Sequence, residues 1–486
     1  MVRARIPQSE NRKWWTLGAV AFSLFMIMLD NTVVNVALPS VQRSLHAGIS
    51  ELEWIVNAYA LTFAVLMLTG GKLADLLGRR RVFLTGLVAF TGASLACGLA
   101  SSAGMLVGFR SLQGVGAAVM MPATLAIISA AFPPKERGLA IGIWAGVSAM
   151  ALAIGPLVGG LLTQHIDWSW IFFVNVPVGA LGFVAGWLVI PESRDTSREQ
   201  SLDLPGLVVS GAALFALTFG LIEANRYGWG SATIVGLFAA SAAGLVLFVG
   251  IERRRRAPML DLSLFRSTTF VGANVVALLV GLAMFGVFFF MSLYVQQILG
   301  YSPVRAGAVF LPMTVLIILI APPAGKVSDH VGSRWLMGGG LTLLGVSLIL
   351  FSRLGLSSSF WELLPALVFG GLGMASVMTP MSAAAMGSAP VAKAGVASGV
   401  LNTFRQVGGA LGIALMGAIL TSRQASALAG GASRPEAFLD GFRTALLTAA
   451  VIAFAGAVVA VALVRKIHHP EPARAETKAV GAEVGP

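Results

Sequence analysis

Cysteine and charge are both scarce in this sequence. Its 486 residues include a single cysteine, Cys97, so no internal disulfide can form and no cysteine-based metal site is expected. Only 11% of the residues are charged, about half the fraction of a soluble protein, whereas 57% are hydrophobic. Because one water-soluble core cannot hide so much apolar surface, we expect the lipid bilayer to be the solvent of most of the chain.

The polar residues that are present point to neither a cofactor nor nucleic acid. The five histidines are scattered, and no glycine-rich loop with a lysine and a hydroxyl residue is present to cradle a phosphate. The net charge of +12 arises from short basic runs between long apolar stretches, not from a basic face with interleaved aromatic residues. We therefore expect no bound cofactor, no metal and no nucleic-acid partner.

Apolar runs of about twenty residues predict an all-α polytopic membrane protein, since barrel strands would alternate over about ten residues. We predict fourteen spans, at Trp14–Ala37, Trp54–Leu73, Val82–Ala100, Met105–Ala131, Leu139–Leu162, Trp170–Ile190, Leu204–Ala224, Ser231–Ile251, Phe270–Tyr294, Ala306–Lys326, Trp335–Arg353, Trp361–Pro380, Gly395–Thr421 and Thr444–Val464. The first run follows basic residues as a signal peptide would. Its length and its internal acid favour a membrane span instead.

Basic residues set the predicted orientation of the chain. With both termini in the cytoplasm, the inner segments hold 24 of the 33 Lys and Arg residues and the outer loops hold seven. A bias above three to one favours this orientation. We thus expect a multi-pass protein of a bacterial plasma membrane, with short cytoplasmic segments at residues 1–13 and 466–486.

A ten-residue segment occurs twice, which indicates two related halves. Gly71-Lys-Leu-Ala-Asp75-Leu-Leu-Gly78-Arg79-Arg80 returns 254 residues later as Gly325-Lys-Val-Ser-Asp329-His-Val-Gly332-Ser-Arg334. Each copy follows the second span of a six-span set, as expected of transporters built from repeats. The predicted organisation is a six-helix bundle at residues 14–190, a linker with two extra helices at 191–268, and a second six-helix bundle at 269–465.

Several motifs occur in an order that resembles a known family. They are the loop Gly71–Arg81, Leu106–Gly116 in the fourth span, Gly155-Pro-Leu-Val-Gly159-Gly160 in the fifth, and Leu29–Pro39 in the first. Together they resemble the major facilitator superfamily, and within it the fourteen-span drug:proton antiporters. Leu76 and Ala151 depart from the loop and fifth-helix patterns. The resemblance implies a major-facilitator fold and the proton-coupled export of drugs.

Asp30 is predicted to be the proton-coupling acid. A charged carboxylate deep in a bilayer costs about 2.5–3.5 kcal/mol, so a group that is neutral in one conformation and charged in another suits proton coupling. Arg110 cannot deprotonate, and the resemblance implies that it modulates Asp30 as a fixed charge. The alternatives are a structural acid bonded to Thr32 or nearby Asn side chains, and a static arginine anchored by Gln113.

Three groups of residues are predicted to gate the transporter or to shape its conformations. Small residues and a proline in the fifth helix, Gly155, Pro156 and Gly159, would form a tight seam against proton leak, or serve ordinary packing. The repeated loops, through Gly71, Asp75, Gly78, Arg79, Arg80, Gly325 and Asp329, would latch the cytoplasmic side. Arg405, in the thirteenth helix, is a further candidate.

Substrate contacts are predicted in a central cavity, which the resemblance places between the first and fourth helices of each half. The candidates are the polar Asn35 and Gln113 and the aromatic Phe285, Phe288, Phe289 and Tyr294, which suit flat amphipathic or cationic molecules. Aromatic residues at this spacing also face lipid or packed helices. Glu223, in the seventh span, is either a secondary acid or an interface residue.

These observations predict a transporter, not an enzyme, that exports amphipathic drugs or antibiotics in exchange for protons by alternating access. We expect it to function as a monomer. The nearest alternative is an exporter of one endogenous metabolite or lipid, which differs in substrate breadth. A membrane-embedded enzyme would need a nucleophile and base or metal ligands within the spans, which the sequence does not supply. A channel fits the repeated halves less well.

Overall fold

The computed structural model describes residues 11–194, 203–255, 258, 260–389 and 393–465. The predicted terminal segments 1–13 and 466–486 fall almost entirely outside these ranges, as does part of the 191–268 linker. The helices of the first half are α1 Arg12–Leu45, α2 Ile49–Leu77, α3 Arg79–Gly98, α4 Ala103–Ala131, α5 Pro134–His165, α6 Trp170–Phe173 and α7 Asn175–Val189.

The remaining helices form the insert and the second half. The insert holds α8 Leu204–Tyr227 and α9 Ala232–Arg254, followed by a short 3₁₀ turn at Leu262–Arg266. The second half contains α10 Thr268–Leu293 with a π-helical turn at Tyr294–Ile298, α11 Pro303–Val309, α12 Leu311–Val331, α13 Ser333–Ser352, α14 Phe360–Gly387, α15 Ala394–Ala429 and α16 Arg434–Leu463.

The all-α prediction is confirmed. Thirteen helices of the described part are long and apolar enough to cross a membrane. The predicted fifth span, Leu139–Leu162, lies within α5, a helix of 32 residues that includes side chains outside the described part. Helices are expected here because every backbone polar group in hydrocarbon must be satisfied within the protein.

Two of the predicted spans are interrupted by breaks that the hydropathy pattern does not reveal. The sixth span is divided at Val174 into α6 and α7, and the tenth at Phe310 into α11 and α12. Pro177 and Pro312 follow these breaks. A proline ring clashes with the carbonyl four residues earlier and removes one hydrogen bond, so the helix restarts.

The two halves repeat one packing pattern, as the duplicated segment predicts. In the first half α1 packs on α5, whereas α2 and α3 both pack on α4. In the second half α10 packs on α15, and α12 and α13 both pack on α14. The halves meet where α2 crosses α15 and where α5 meets α11, and the insert helix α8 packs against both α2 and α15.

Candidate functional site

The centre of the first half holds a fully buried ion pair between α1 and α4. Asp30 is 0% exposed and Arg110 is 1% exposed. Arg110 Nη1 lies 2.5 Å from Asp30 Oδ2, and its Nε donates to the backbone oxygen of Ile55 at 3.2 Å. Asp30 lies near the middle of the 34-residue helix α1, about 27 Å from its first residue at 1.5 Å per residue. The structure therefore brings together the two residues predicted to couple protons.

Buried amides complete the coordination of the Asp30 carboxylate. Gln113 Nε2 donates to Asp30 Oδ1 at 2.9 Å, and Asn175 Nδ2 donates to the same oxygen at 3.2 Å. Gln113 Oε1 in turn accepts a bond from Arg110 Nη1 at 2.8 Å. Asn175 also donates to Ser94 at 3.0 Å. Both carboxylate oxygens are thus hydrogen-bonded, and Gln113 belongs to the ion-pair network whether or not it also contacts a substrate.

Two aromatic rings pack against the guanidinium group of Arg110. The guanidinium carbon of Arg110 lies 4.1 Å from the ring centre of Tyr59 and 5.8 Å from that of Phe172. Such stacking favours a buried cation. Because arginine does not deprotonate in proteins, Asp30 is the member of the ion pair that can take up a proton.

Asn175, Ser94 and Tyr59 are parts of this site that sequence reasoning missed. Asn175 is 1% exposed and begins α7 immediately after the break at Val174. A polar amide inside an apolar span costs free energy unless it is bonded, and this was the signal available in the sequence. Its partner could not be read from the sequence, because Asn175 and Asp30 are 145 positions apart.

The small residues of α5 bring its backbone against α1 beside the ion pair. A side-chain carbon added at Gly155 would lie 1.8 Å from Thr32 Oγ1, and one added at Gly159 would lie 2.8 Å from the backbone oxygen of Val33. Pro156 lies inside the helix between them. The seam therefore requires glycine for close approach, and it lies within a few residues of Asp30 on α1.

The first loop motif joins α2 and α3 through a glycine in the left-handed region. Gly78 has φ 107°, a conformation that side chains strongly disfavour. Asp75 forms an ion pair of 3.0 Å with Arg79, whose Nη1 also donates to the backbone of Ala126 on α4 at 3.4 Å. Gly71 lies against α4 near Pro122.

A residue outside the motif holds this loop in place. The carboxylate of Glu192 accepts bonds from the backbone nitrogens of Arg80 and Arg81 at 3.2 and 3.3 Å. A side-chain carbon on Gly78 would come within 2.6 Å of Glu192 Oε1. The Arg80 side chain bonds the backbone oxygen of Trp187 and covers its ring. In this conformation the loop therefore connects α2 and α3 with α4 and with the end of α7.

The second copy of the motif repeats the backbone conformation of the turn. Gly332 has φ 98° and ψ 139°, close to the 107° and 129° of Gly78. Gly325 lies against Thr379 on α14. Ser328 and Ser333 are joined by a hydrogen bond of 2.9 Å. The side chain of Asp329 lies outside the described part, so its predicted latch role stays a prediction.

The aromatic substrate candidates occupy different environments in the second half. Phe289 and Tyr294 are 0% exposed. Tyr294 stacks on Phe442 at 5.1 Å and donates its hydroxyl to the backbone of Gly355 at 2.6 Å. Both side chains are packed inside the second half in this conformation.

Phe285 and Phe288 are partly buried. The ring of Phe285 lies against Gly409 of α15, and Phe288 packs 5.1 Å from Phe310. Asn35 is half-buried and donates to the backbone of Asn31 at 3.3 Å.

Arg405 lies half-buried on α15. Its Nη2 donates to Asn402 Oδ1 at 2.7 Å, and no ion pair involving it occurs in the described ranges. It is therefore a cation without the carboxylate partner that Arg110 has.

Hydrogen bonds join the two halves at one end of the bundle. This end holds the α1–α2 connection and is called the predicted outer end below. Gln296 donates to the backbone oxygen of Val36 at 2.9 Å, and Gln297 to Gln42 at 2.6 Å. The backbone nitrogen of Val304 donates to Gln164 at 3.1 Å. Nearby, Gly307 of α11 lies directly on the α5 backbone at Pro156. The halves are closed against each other here.

Comparison with known proteins decides the family. The family model described as "Major Facilitator Superfamily" matches residues 20–413 and 273–486. The chain belongs to the Major Facilitator Superfamily. It is a multi-pass membrane transporter with the fold of that superfamily.

Relatives within the superfamily are named for antibiotic resistance. The chain is 39% identical over 422 residues to the tetracenomycin C resistance and export protein of Streptomyces glaucescens, covering 86% of this chain and 78% of the relative. It is 38% identical to a puromycin resistance protein of Streptomyces alboniger, covering 88% and 86%. A multidrug resistance protein, Stp, of Mycobacterium tuberculosis is 38% identical, with 84% and 76% covered.

Solved structures of transporters with low sequence identity share the fold. A bacterial homologue of the human lysosomal transporter Spinster, in an inward-facing and unoccupied conformation, is 18% identical and superposes with a TM-score of 0.67. The match covers 94% of this chain and 98% of that structure.

Proposed function

We propose that this transporter is a proton-coupled antiporter that exports amphipathic drugs or antibiotics by alternating access, with Asp30 as the proton-coupling acid. The observation that carries the proposal is the fully buried pair of Asp30 and Arg110, whose side chains meet at 2.5 Å between two apolar helices. A buried ion pair is weak evidence for stability, because its desolvation cost offsets its attraction. Its placement between α1 and α4 is better explained by a function.

Proton binding to Asp30 would change the balance of charge in the first half. The protonated acid no longer offsets Arg110, which then remains a buried cation held by Gln113, Ile55 and the Tyr59 ring. Such a state is costly unless water or an anionic group reaches Arg110. Protonation should therefore favour a different arrangement of α1 and α4, which is the link between proton and conformation that antiport requires.

In the proposed transport cycle, this structure is the state in which the predicted outer end is closed. With both termini in the cytoplasm, the bonds from Gln296, Gln297 and Val304 seal the extracellular side. The substrate would enter this state from the cytoplasm or the inner leaflet, and breaking these bonds would open the way out. The α1–α5 seam at Gly155 and Gly159 would limit proton leak past Asp30.

The substrate class is proposed from the aromatic surface of α10 and from the relatives. Phe285 and Phe288 are the candidates with exposed ring surface, and Asn35 offers a polar contact on α1. The relatives' names include both single antibiotics and multidrug resistance. A transporter dedicated to one compound therefore remains the second candidate. Nothing in the proposed cycle requires more than one copy of the chain.

Transport by Asp30→Asn tests the proposal directly. In vesicles with an imposed pH gradient, the wild type should drive efflux of a fluorescent lipophilic cation, and correctly inserted Asp30→Asn should lose that gradient-driven transport. Asparagine keeps the shape of the side chain but cannot take up a proton, and its NH2 group replaces one of the two oxygens that accept hydrogen bonds here. Equal rates in both proteins would remove Asp30 from coupling. Transport of one natural antibiotic but no lipophilic cation would favour the dedicated exporter.

A further inference from the structure

The insert helix α8 closes a three-helix junction with α2 and α15 at the predicted outer end. Asn225 Nδ2 donates to the backbone oxygen of Ala418 at 2.7 Å and to Thr421 Oγ1 at 2.5 Å. Trp54 Nε1 donates to Glu223 Oε1 at 3.4 Å. These bonds place Glu223 of α8 beside Trp54 of α2. The insert is therefore attached at this point to both six-helix halves.

A second acid, Glu53, is buried in this junction. It is 2% exposed, lies about 6 Å from the start of α2 at 1.5 Å per residue, and faces Gly417 of α15. A side-chain carbon at Gly417 would lie 1.9 Å from Glu53 Oε1, so only glycine leaves room for the carboxyl group. No ion pair joins Glu53 to a cation in the part of the chain that the structure describes.

The two acids of the junction share very little positive charge. Glu223 is 8% exposed, and its carboxylate accepts a bond from Trp54, the residue next to Glu53 on α2. Glu223 forms an ion pair with Arg226, whose side chain is 77% exposed and lies 3.7 Å from Glu223 Oε2. The facing segment of α15, Gly417–Thr421, contributes no titratable side chain, and Glu51 at the start of α2 is exposed. Two buried carboxylates beside one solvated cation are strongly disfavoured when both are ionised.

A buried amide without a hydrogen-bond partner lies in the same junction. Asn57 lies one helical turn from Glu53 on the same face of α2 and is 0% exposed. Among the described residues, neither its Nδ2 nor its Oδ1 has a hydrogen-bond partner, and Glu223 Oε2 has only the ion pair with the exposed Arg226. An unpaired buried polar group costs about 1–3 kcal/mol. Two unpaired amide atoms beside two buried acids are what a site for a mobile proton would present.

We propose that Glu53 and Glu223 form a second proton-binding site, in which one proton is shared between the two carboxyl groups and Asn57 stabilises the occupied form. The site lies on a different face of α2 from the one whose Ile55 oxygen accepts the Arg110 bond. Since α2 and α15 belong to different halves, their relative movement changes the separation of Glu53 from Gly417 and so alters proton binding. The insert contributes Glu223 and is thus part of the proton site.

Infrared difference spectroscopy of the lipid-reconstituted full-length protein tests proton binding without any substrate. Between acidic and alkaline pH, the wild type should show a protonated-carboxyl band that Glu53→Gln and Glu223→Gln each lose in large part. Glu51→Gln is the matched control, because it removes an exposed acid two positions away, and it should keep the band. A wild-type band that persists unchanged in both Glu53→Gln and Glu223→Gln would overturn the proposal.

Two further variants separate this site from misfolding and from the Asp30 mechanism. Gly417→Ala removes no acid but displaces the Glu53 carboxyl group, so it should also weaken the band while thermal unfolding and gel filtration report an intact fold. Asp30→Asn should retain the band. The site depends on the proposed function only for the role of its proton in transport. If the wild type shows no gradient-driven efflux, antiport is refuted. If the infrared band is unchanged in Glu53→Gln and Glu223→Gln, this proton site is refuted. Loss of the band in Asp30→Asn, with Glu53→Gln unaffected, would assign it to Asp30 instead.

Discussion

The two halves share a packing pattern but differ sharply in buried charge. In the first half Asp30, Glu53 and Arg110 are each at most 2% exposed. In the described part of the second half, the buried polar residues are all uncharged, and α10, the counterpart of α1, contains no charged residue. Duplication therefore preserved the arrangement of the helices and not their chemistry. We infer that the first half carries the proton chemistry while the second offers an apolar and aromatic wall.

The duplicated loops differ in the same way. Gly78 and Gly332 adopt nearly the same backbone conformation, but the first turn is tied by Glu192 to the end of α7, whereas the second is closed by a local bond between Ser328 and Ser333. Among the described side chains, the first turn is therefore bonded to a distant segment, whereas the second is bonded within itself. The following predictions test this difference between the halves.

The largest effect is expected from Arg110→Met. Removing the cation leaves Asp30 buried without its partner, which should destabilise the protein by about 3–5 kcal/mol unless Asp30 becomes protonated. Thermal unfolding in detergent measures the loss. Arg405→Met is the matched control in the second half. Because Arg405 bonds only to Asn402 in the described part, its removal should cost less than about 1 kcal/mol. Equal losses of stability in Arg110→Met and Arg405→Met would contradict the proposed difference in buried charge between the halves.

Close helix seams should respond differently in the two halves. A side-chain carbon at Gly408 would lie 2.0 Å from the backbone oxygen of Leu278, so Gly408→Ala should cost about 1–3 kcal/mol of stability by overpacking α15 against α10. At Gly159 the corresponding distance to Val33 is 2.8 Å. Gly159→Ala should therefore lose less stability than Gly408→Ala. It should nevertheless speed the decay of a pH gradient across vesicles, since this seam lies beside Asp30. Faster decay in Gly408→Ala than in Gly159→Ala would contradict the predicted asymmetry.

The smallest effect is expected from Glu192→Gln. Glutamine keeps one acceptor for the Arg80 and Arg81 backbone nitrogens but loses the charge, so the free energy of local opening should fall by about 0.5–1.5 kcal/mol. Hydrogen exchange of the α2–α3 turn measures this change. Exchange at the α12–α13 turn should not respond, and Ser333→Ala should give the opposite pattern. A response of both turns to either variant would indicate that the two loops are coupled.

Much of the fold follows from the sequence because the bilayer constrains it so strongly. Apolar runs near twenty residues admit helices, and the repeated segment at Gly71 and Gly325 identifies two halves. The breaks at Val174 and Phe310 were missed because they leave hydropathy unchanged. Asp30 and Arg110 were found because a charge inside an apolar run is costly wherever it lies.

The sequence alone indicates that the chain crosses a membrane, that it contains a repeat, and that Asp30 and Arg110 interrupt apolar runs. The partners of these charges are visible only in the folded chain. Asn175, Glu192 and Gly417 acquire their roles from contacts with residues far along the chain, which no local pattern encodes. Phe289 and Tyr294 could not be separated in advance from cavity-lining residues, because lipid, helix interior and an apolar cavity all favour aromatic side chains. The chemistry of a side chain sets the free-energy cost of burying it, whereas tertiary packing determines which residues it contacts.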